Sequence, residues 1–581
     1  MTAIPPGSEG VRLGCRRHAT GVLPTRRFFL TRATDVKDHH SPFDPARRDR
    51  STYGIAFAFY AVLLYPILRA DRMYEDDLGR VLIGRTGWDS NGRPLTTLLM
   101  RALQCYDYAM VDISPLTQIA AVAILAWIGV LLARRFDIRS PWAAALAAFP
   151  LGGQPFFLMN LSYKFDALSM ALAVFFAALP VLSSPTGRRG WWLGIVWMFF
   201  SLSLYQPAIN VYLLYAWLEL MATMLRRDTL AQLRTQCMWR GSQALAGMLI
   251  YQLLVGMTMV HGWVGKHPKI HNLQELLRLP YNIGDYLRYI ADGFDLQWWL
   301  YFVPVLLLLA ALPSAIGLRY AWQHRKQRSI LLTAGLLLAS SLLPAVGLLG
   351  VMGPLLLLVE PFLSERVMIG VGGWLSMGLV IAYLACRQWR RSPRWMLAMG
   401  WMLALGMEVL ASAYGNAMGA QNRYEARIAS RLADDYAALQ ASGHVKALLL
   451  GGSAGYAPVT RHIIEQMPLV GRMVKSHLTA ADSFHTPQYL AYFMPYAPYI
   501  SYSDQTEGQR RVEAIEAILA SAASKPVWSR TSAYDLYKID GLAVAIFRKQ
   551  PSLPPSETKD FVAAYSPDGV SLIATPLNAS D

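Results

Sequence analysis

Residues 71–95, DRMYEDDLGRVLIGRTGWDSNGRPL, gather acids, arginines and glycines into one short stretch. On a helix over 74–83, Asp76 and Arg80 stand four residues apart and Asp77 and Arg80 three, so they share a face. Adjacent carboxylates with one arginine can keep one acid ionised to take a proton while the guanidinium faces an anion. The two aspartates are equivalent candidates for that base. Glu75 falls off the shared face and is expected to be the dispensable acid of the three. Asn91 and the glycines around Trp88 can bring backbone N–H groups close to a ligand.

Three further stretches carry polar residues between apolar runs. MNLSYKFDALSM (159–170) holds Lys164 and Asp166, and SLYQPAINVY (203–212) holds Gln206, Pro207 and Asn210. LVEPFLSERVM (358–368) holds Glu360, Glu365 and Arg366. Arg366 is the basic residue of its loop and suits a phosphate. The structural readings beside these are snorkelling side chains, a tight hairpin and interfacial ion pairs. Glu219 and Glu408 lie inside apolar runs without a visible relay partner.

Other chemistries lack their residues. The chain has no Walker A sequence, no HExxH and no Gly-x-Ser-x-Gly. GGSAGYAP (451–458) reads as a strand–helix turn, and His261, His267 and His271 are spaced too loosely for a metal site. Cys15, Cys105, Cys237 and Cys386 form neither a disulfide framework nor a metal pattern.

The elements that must position these residues are membrane helices. The 581-residue chain is 54% hydrophobic and 16% charged, below the quarter or so usual in soluble domains. Its 17 Trp and 29 Tyr suit many membrane–water interfaces. The net charge of +16 is scattered in short clusters between apolar runs, which argues for orientation signals and against nucleic acid. Eleven spans are expected, near 53–69, 116–133, 142–159, 166–183, 190–206, 208–225, 241–261, 298–318, 329–351, 367–386 and 395–414. The run 330–359 is too long for one plain helix, and its Pro/Gly-rich second half is expected to be re-entrant or surface-lying. Segment 94–111 reads as an interfacial helix. Basic clusters at 134–139, 188–189, 226–240, 319–328 and 387–394 place those loops in the cytoplasm. All four polar stretches then face outward, and the C-terminus lies outside.

Residues 1–50 read as a basic, disordered cytoplasmic tail, 51–415 as the membrane domain with a catalytic outer loop 71–115, and 416–581 as a small outer α/β domain. In the last, VKALLLGG (445–452), 533–539 and 542–549 read as strands, the last two joined by Asp540-Gly541. Helices are expected over 420–442, 459–467 and 514–522.

YEDDLGR, GW…NGRPL, NLSYKFDALSMALA, SLSLYQPAINVY and ASAYGNAMGAQNRYEARIA, in this order, resemble the bacterial Gtr type II glucosyltransferases over about 53–430. The resemblance implies a GT-C-type membrane enzyme that moves one sugar, expected to be glucose, from undecaprenyl phosphate to O-antigen or a similar surface glycan. It implies a catalytic acid in the first outer loop, Asp76 or Asp77. Arg80, Arg93, Lys164 and Arg366 would then neutralise the lipid phosphate, with Asn91, Asp166, Gln206 and Glu360 in support. The expected site is the periplasmic face of the inner membrane. A small flippase and a polyprenyl-phosphate sugar synthase are expected partners, and no nucleic acid is. No cofactor is expected, although Asp76 and Asp77 could hold a divalent ion. The competing classes are a lipid-linked sugar flippase, which would need mid-membrane polar residues and an internal repeat, and a polysaccharide polymerase.

Overall fold

The computed structural model describes residues 44–549 apart from 106–108, 184–186, 262–266, 326–328, 444, 446, 481–484 and 495–507, together with the strands Phe561–Ala564 and Ile573–Pro576. The expected tail thus lies almost wholly outside the described residues.

The chain enters the first helix, α1 (Pro45–Ala70), through an Asp44 side chain that accepts the Ala46 N–H, with Pro45 at the first helical position. Asp71, in the left-handed region at φ 41°, ends the helix. There follow α2 (Asp77–Ile83), α3 (Pro94–Gln104) and α4 (Leu116–Phe136). The expected span 142–159 is not one helix. Pro150 and Pro155 cannot donate backbone hydrogen bonds, and the segment divides into α5 (Pro141–Ala148), α6 (Pro150–Gly153) and α7 (Phe157–Ser162). α8 (Ala167–Leu182), α9 (Arg188–Leu204) and α10 (Ile209–Leu225) come next. α11 (Leu230–Tyr251) starts earlier than expected and ends in a π-helical turn, Gln252–Gly256. After the short α12 (Leu273–Leu276) and α13 (Leu279–Ala291) stand α14 (Leu296–Gln323), α15 (Ile330–Met352) and α16 (Ile369–Gln388).

The second half of 330–359 is mostly helix rather than re-entrant: α15 runs through Pro344 and stops at Gly353. That glycine has φ 52°, and a Cβ there would lie 2.1 Å from Asn210 Oδ1. α3 is likewise shorter than the expected 94–111.

Among the described residues, seven helices are long and apolar enough to cross a membrane: α1, α4, α10 with its leading turn, α14, α15 with its trailing turn, α16 and the last long helix, α17 (Arg394–Ala441). α8 is a shorter apolar helix. The protein is therefore a polytopic, mostly helical membrane protein. α1 packs on α4 and α17, α8 on α4 and α9, α10 on α16, and α14 on α15, around one continuous apolar core.

α17 (Arg394–Ala441) is 48 residues long and carries the chain past residue 415 without interruption. Its C-terminal half packs on a four-stranded sheet of β1 (Ala447–Gly451), β2 (Val527–Arg530), β3 (Tyr534–Ile539) and β4 (Leu542–Phe547), in the order β1-β4-β3-β2. β1 runs parallel to β4, and β3 and β4 form the expected hairpin through Asp540 and Gly541, both at positive φ. β5 (Phe561–Ala564) and β6 (Ile573–Pro576) pair separately. The helices α18 (Pro458–Gln466), α19 (Pro468–Met473), α20 (His485–Leu490) and α21 (Gly508–Ala522) complete this part. Leu78 of α2 is fully buried in the core shared by α17 and the sheet, so the loop after α1 is anchored in the C-terminal domain.

Candidate active site

The loop after α1 is folded by two turns. Glu75 takes φ 43°, which delays the helix expected at 74 to Asp77, with Asp76 immediately before it. Gly84 ends α2 at φ 63°, and a Cβ there would meet the Ala109 backbone at 2.7 Å, so the returning chain packs against bare backbone. Trp88 is then buried, and its indole N–H donates to Asp166 Oδ1 at 2.7 Å.

Asp166 organises the charges. Arg80 Nη2 lies 3.8 Å from its Oδ2 and Arg93 Nη1 lies 3.7 Å from its Oδ1. Each guanidinium also covers an aromatic ring, Arg80 at 4.4 Å over Trp88 and Arg93 at 4.5 Å over Tyr205. Arg80 also reaches Asp76 at 3.7 Å, the i,i+4 pair expected from the spacing. Arg93 donates to Gln206 Oε1 at 3.3 Å, and Gln206 donates to the Asn91 carbonyl at 2.8 Å. Three separate stretches of sequence thus meet at one end of the bundle.

The two aspartates have different surroundings. The Asp76 side chain is 45% exposed. Asp77 is fully buried; its Oδ2 accepts the Lys164 backbone N–H at 2.7 Å, and its Oδ1 has no hydrogen-bond partner. Burial, with Asp166 and Asp76 nearby, pushes the Asp77 carboxyl well above the usual range, against the opposing pull of Arg80 and that N–H.

A second chain of contacts lies beside the first. Arg366 Nη1 donates to Tyr163 Oη at 2.8 Å, Tyr163 donates to Glu75 Oε2 at 2.6 Å, and Lys475 Nζ reaches Glu75 Oε1 at 2.6 Å. Burial raises the Glu75 carboxyl, but Lys475 and Arg366 outweigh it and hold the group below its ordinary value. Glu75 therefore does not point away from the site, because its left-handed turn swings it off the α2 face and onto Tyr163. Glu360 is exposed; its neighbour in sequence, Glu365, is buried instead and accepts from Tyr289 Oη at 2.5 Å. The Lys164 ammonium, expected to be a phosphate ligand, is held between Asp71 at 2.7 Å and Asp112 at 3.3 Å. Asn210 fixes the end of α15, donating to the Val351 carbonyl at 2.9 Å.

Sequence reasoning missed the aromatic residues Trp88, Tyr163 and Tyr205, although all three stood inside the quoted strings; an aromatic beside a charge at a membrane interface reads as an anchor. It also missed the grip of the C-terminal domain. Arg72 makes a buried ion pair with Glu425 at 2.7 Å, Tyr74 donates to the Met473 carbonyl at 2.7 Å, and His477 Nε2 lies 3.1 Å from the Met73 carbonyl. Among the described residues, no three His, Cys, Asp or Glu side chains converge as metal ligands would.

Residues 65–377 match the model of the family described as Glucosyl transferase GtrII. The chain is 24% identical over 435 residues to an uncharacterized 55.3 kDa protein in the gtrB 5′ region of Salmonella phage P22, covering 73% of this chain and 87% of that one. No solved structure matches it.

Proposed function

Given that this chain belongs to the GtrII glucosyl transferase family and is a glycosyltransferase, we propose that it moves a single glucose from undecaprenyl phosphate to a surface polysaccharide such as O-antigen, with Asp76 as the general base. In this reading eleven segments cross the inner membrane, the N-terminus is cytoplasmic, and the loop after α1 and the C-terminal domain are periplasmic. A flippase and a polyprenyl-phosphate sugar synthase supply the donor.

The observation that carries the reading is the pairing of an accessible carboxylate with two arginines on one buried counter-ion, inside the family-matched residues. The acceptor hydroxyl gives its proton to Asp76 as its oxygen bonds to the sugar's anomeric carbon. The bond from that carbon to the phosphate oxygen breaks, and the lipid phosphate leaves with the electron pair. A phosphate monoester anion needs positive charge rather than a proton, and in this reading Arg80 and Arg93 supply it. Asp166 pairs with both arginines and holds them together. Asp77 is too enclosed to meet a substrate and acts by fixing the start of α2 to the Lys164 backbone.

The test is transfer from synthetic undecaprenyl phosphate glucose to glycan by the purified protein. Asp76→Asn should lower kcat by about 10²–10⁴-fold, the usual worth of a general base. Full activity in that variant would remove Asp76 from the mechanism, and donor movement across liposomes without a glycosidic bond would favour the flippase.

A further inference from the structure

α1 and α17 run side by side, with the Phe59 ring 5.3 Å from Trp401 at one end and Pro66 against Gly415 at the other. A Cβ on Gly415 would lie 2.4 Å from Pro66, so the two helices meet backbone to backbone there. Beside this crossing lies a cleft of about 370 Å³ lined by Arg69, Ala70, Gly415, Asn416, Gly419 and Arg423. Two guanidinium groups, one from each helix, enter it.

An arginine at the end of a membrane helix commonly snorkels to water. Here the two converge, and Arg69 is aimed by a hydrogen bond to Asn416 Oδ1. Among the described residues neither has a carboxylate partner. The acids adjacent in sequence are engaged elsewhere: Asp71 with Lys164 at 2.7 Å and Glu425 with Arg72 at 2.7 Å. Below the cleft both helices expose apolar side chains, with Val62 59%, Tyr65 62%, Leu405 60% and Val409 46% exposed. The Tyr65 ring lies under Arg69, its centroid 5.9 Å from the guanidinium carbon.

We infer that the cleft between α1 and α17 binds the phosphate headgroup of a membrane lipid, with Arg69 and Arg423 on the phosphate and the hydrocarbon chain along Val62, Tyr65, Leu405 and Val409. Positive charge above a lipid-facing apolar strip matches that chemistry and matches neither a soluble anion nor a sugar. The lipid is a phosphodiester such as phosphatidylglycerol or the monoester undecaprenyl phosphate. The site lies outside the Asp76–Arg80–Arg93 cluster, and lipid binding is read without turnover. A failure of the transfer mechanism therefore leaves it standing, and its own failure leaves that mechanism untouched.

The test is native mass spectrometry of the detergent-solubilised full chain, titrated separately with phosphatidylglycerol and with undecaprenyl phosphate. Arg69→Gln with Arg423→Gln should weaken one of the two by about tenfold or more. Gly419→Leu should do the same with both charges kept, because its Cβ would lie 3.3 Å from Arg423 Nη1 and fill the cleft. The lipid that loses affinity names the source. Wild-type affinity for both lipids in the double variant, or in a monodisperse Gly419→Leu protein, overturns the site.

Discussion

Asp76 and Asp77 are adjacent in sequence and opposite in environment, and the difference is measurable through pH. The Asp77 carboxyl is raised well above its ordinary 3.8 chiefly by burial. Between that value and the folded one, the native protein keeps a proton that the unfolded chain has lost, so stability falls as pH rises. Asp77→Asn removes this loss. The variant should unfold at a higher temperature than the wild type at pH 8, with the gap closing as pH is lowered to about 4. An unchanged gap across that range would contradict the burial argument. Tyr163 gives a second residue-scale prediction. Tyr163→Phe removes the donor to Glu75 Oε2 and the acceptor for Arg366, and should cost about 1–3 kcal/mol in thermal or denaturant unfolding. Activity should fall with it, since Glu75 is tied into the cluster through that hydroxyl.

At the scale of elements, α2 matters through its ends. It is a seven-residue helix, too short to hold itself, and it persists because Leu78 is buried against α17 and the sheet while Gly84 lets the chain turn back against Ala109. Gly84→Val adds a β-branched side chain at φ 63° with no room behind it. The expected result is a protein that keeps its membrane helices by circular dichroism and loses transfer, because Asp76 and Arg80 no longer have a fixed helix to stand on. α5, α6 and α7 show the reverse relation, where proline overrides a continuous apolar run. The break places the chain so that 163–166 can deliver the Lys164 N–H to Asp77 and the Asp166 carboxylate to the arginines.

At the scale of the whole molecule, the C-terminal domain and the loop after α1 are one structure, joined by the buried Arg72–Glu425 pair, Tyr74–Met473 and Lys475–Glu75. Glu425→Gln leaves Arg72 charged and unpaired in the interior, and should destabilise the protein by about 3–5 kcal/mol in thermal unfolding. Arg72→Met with Glu425→Leu should recover most of that loss, since replacing a buried pair by apolar groups is often neutral. Recovery of stability without recovery of activity would show that the pair orients the loop as well as holding it. The membrane class, the β3–β4 hairpin, the four polar stretches and the pairing of Asp76 with Arg80 are legible in the amino-acid order, because apolar run length, turn chemistry and i,i+4 spacing are local properties of the chain. The tertiary fold alone sets which aspartate is open to solvent, that Asp166 is the counter-ion shared by Arg80 and Arg93, and that Glu75 faces Tyr163. Those outcomes depend on burial and on contacts between residues some 80 to 400 positions apart, and no local pattern encodes them.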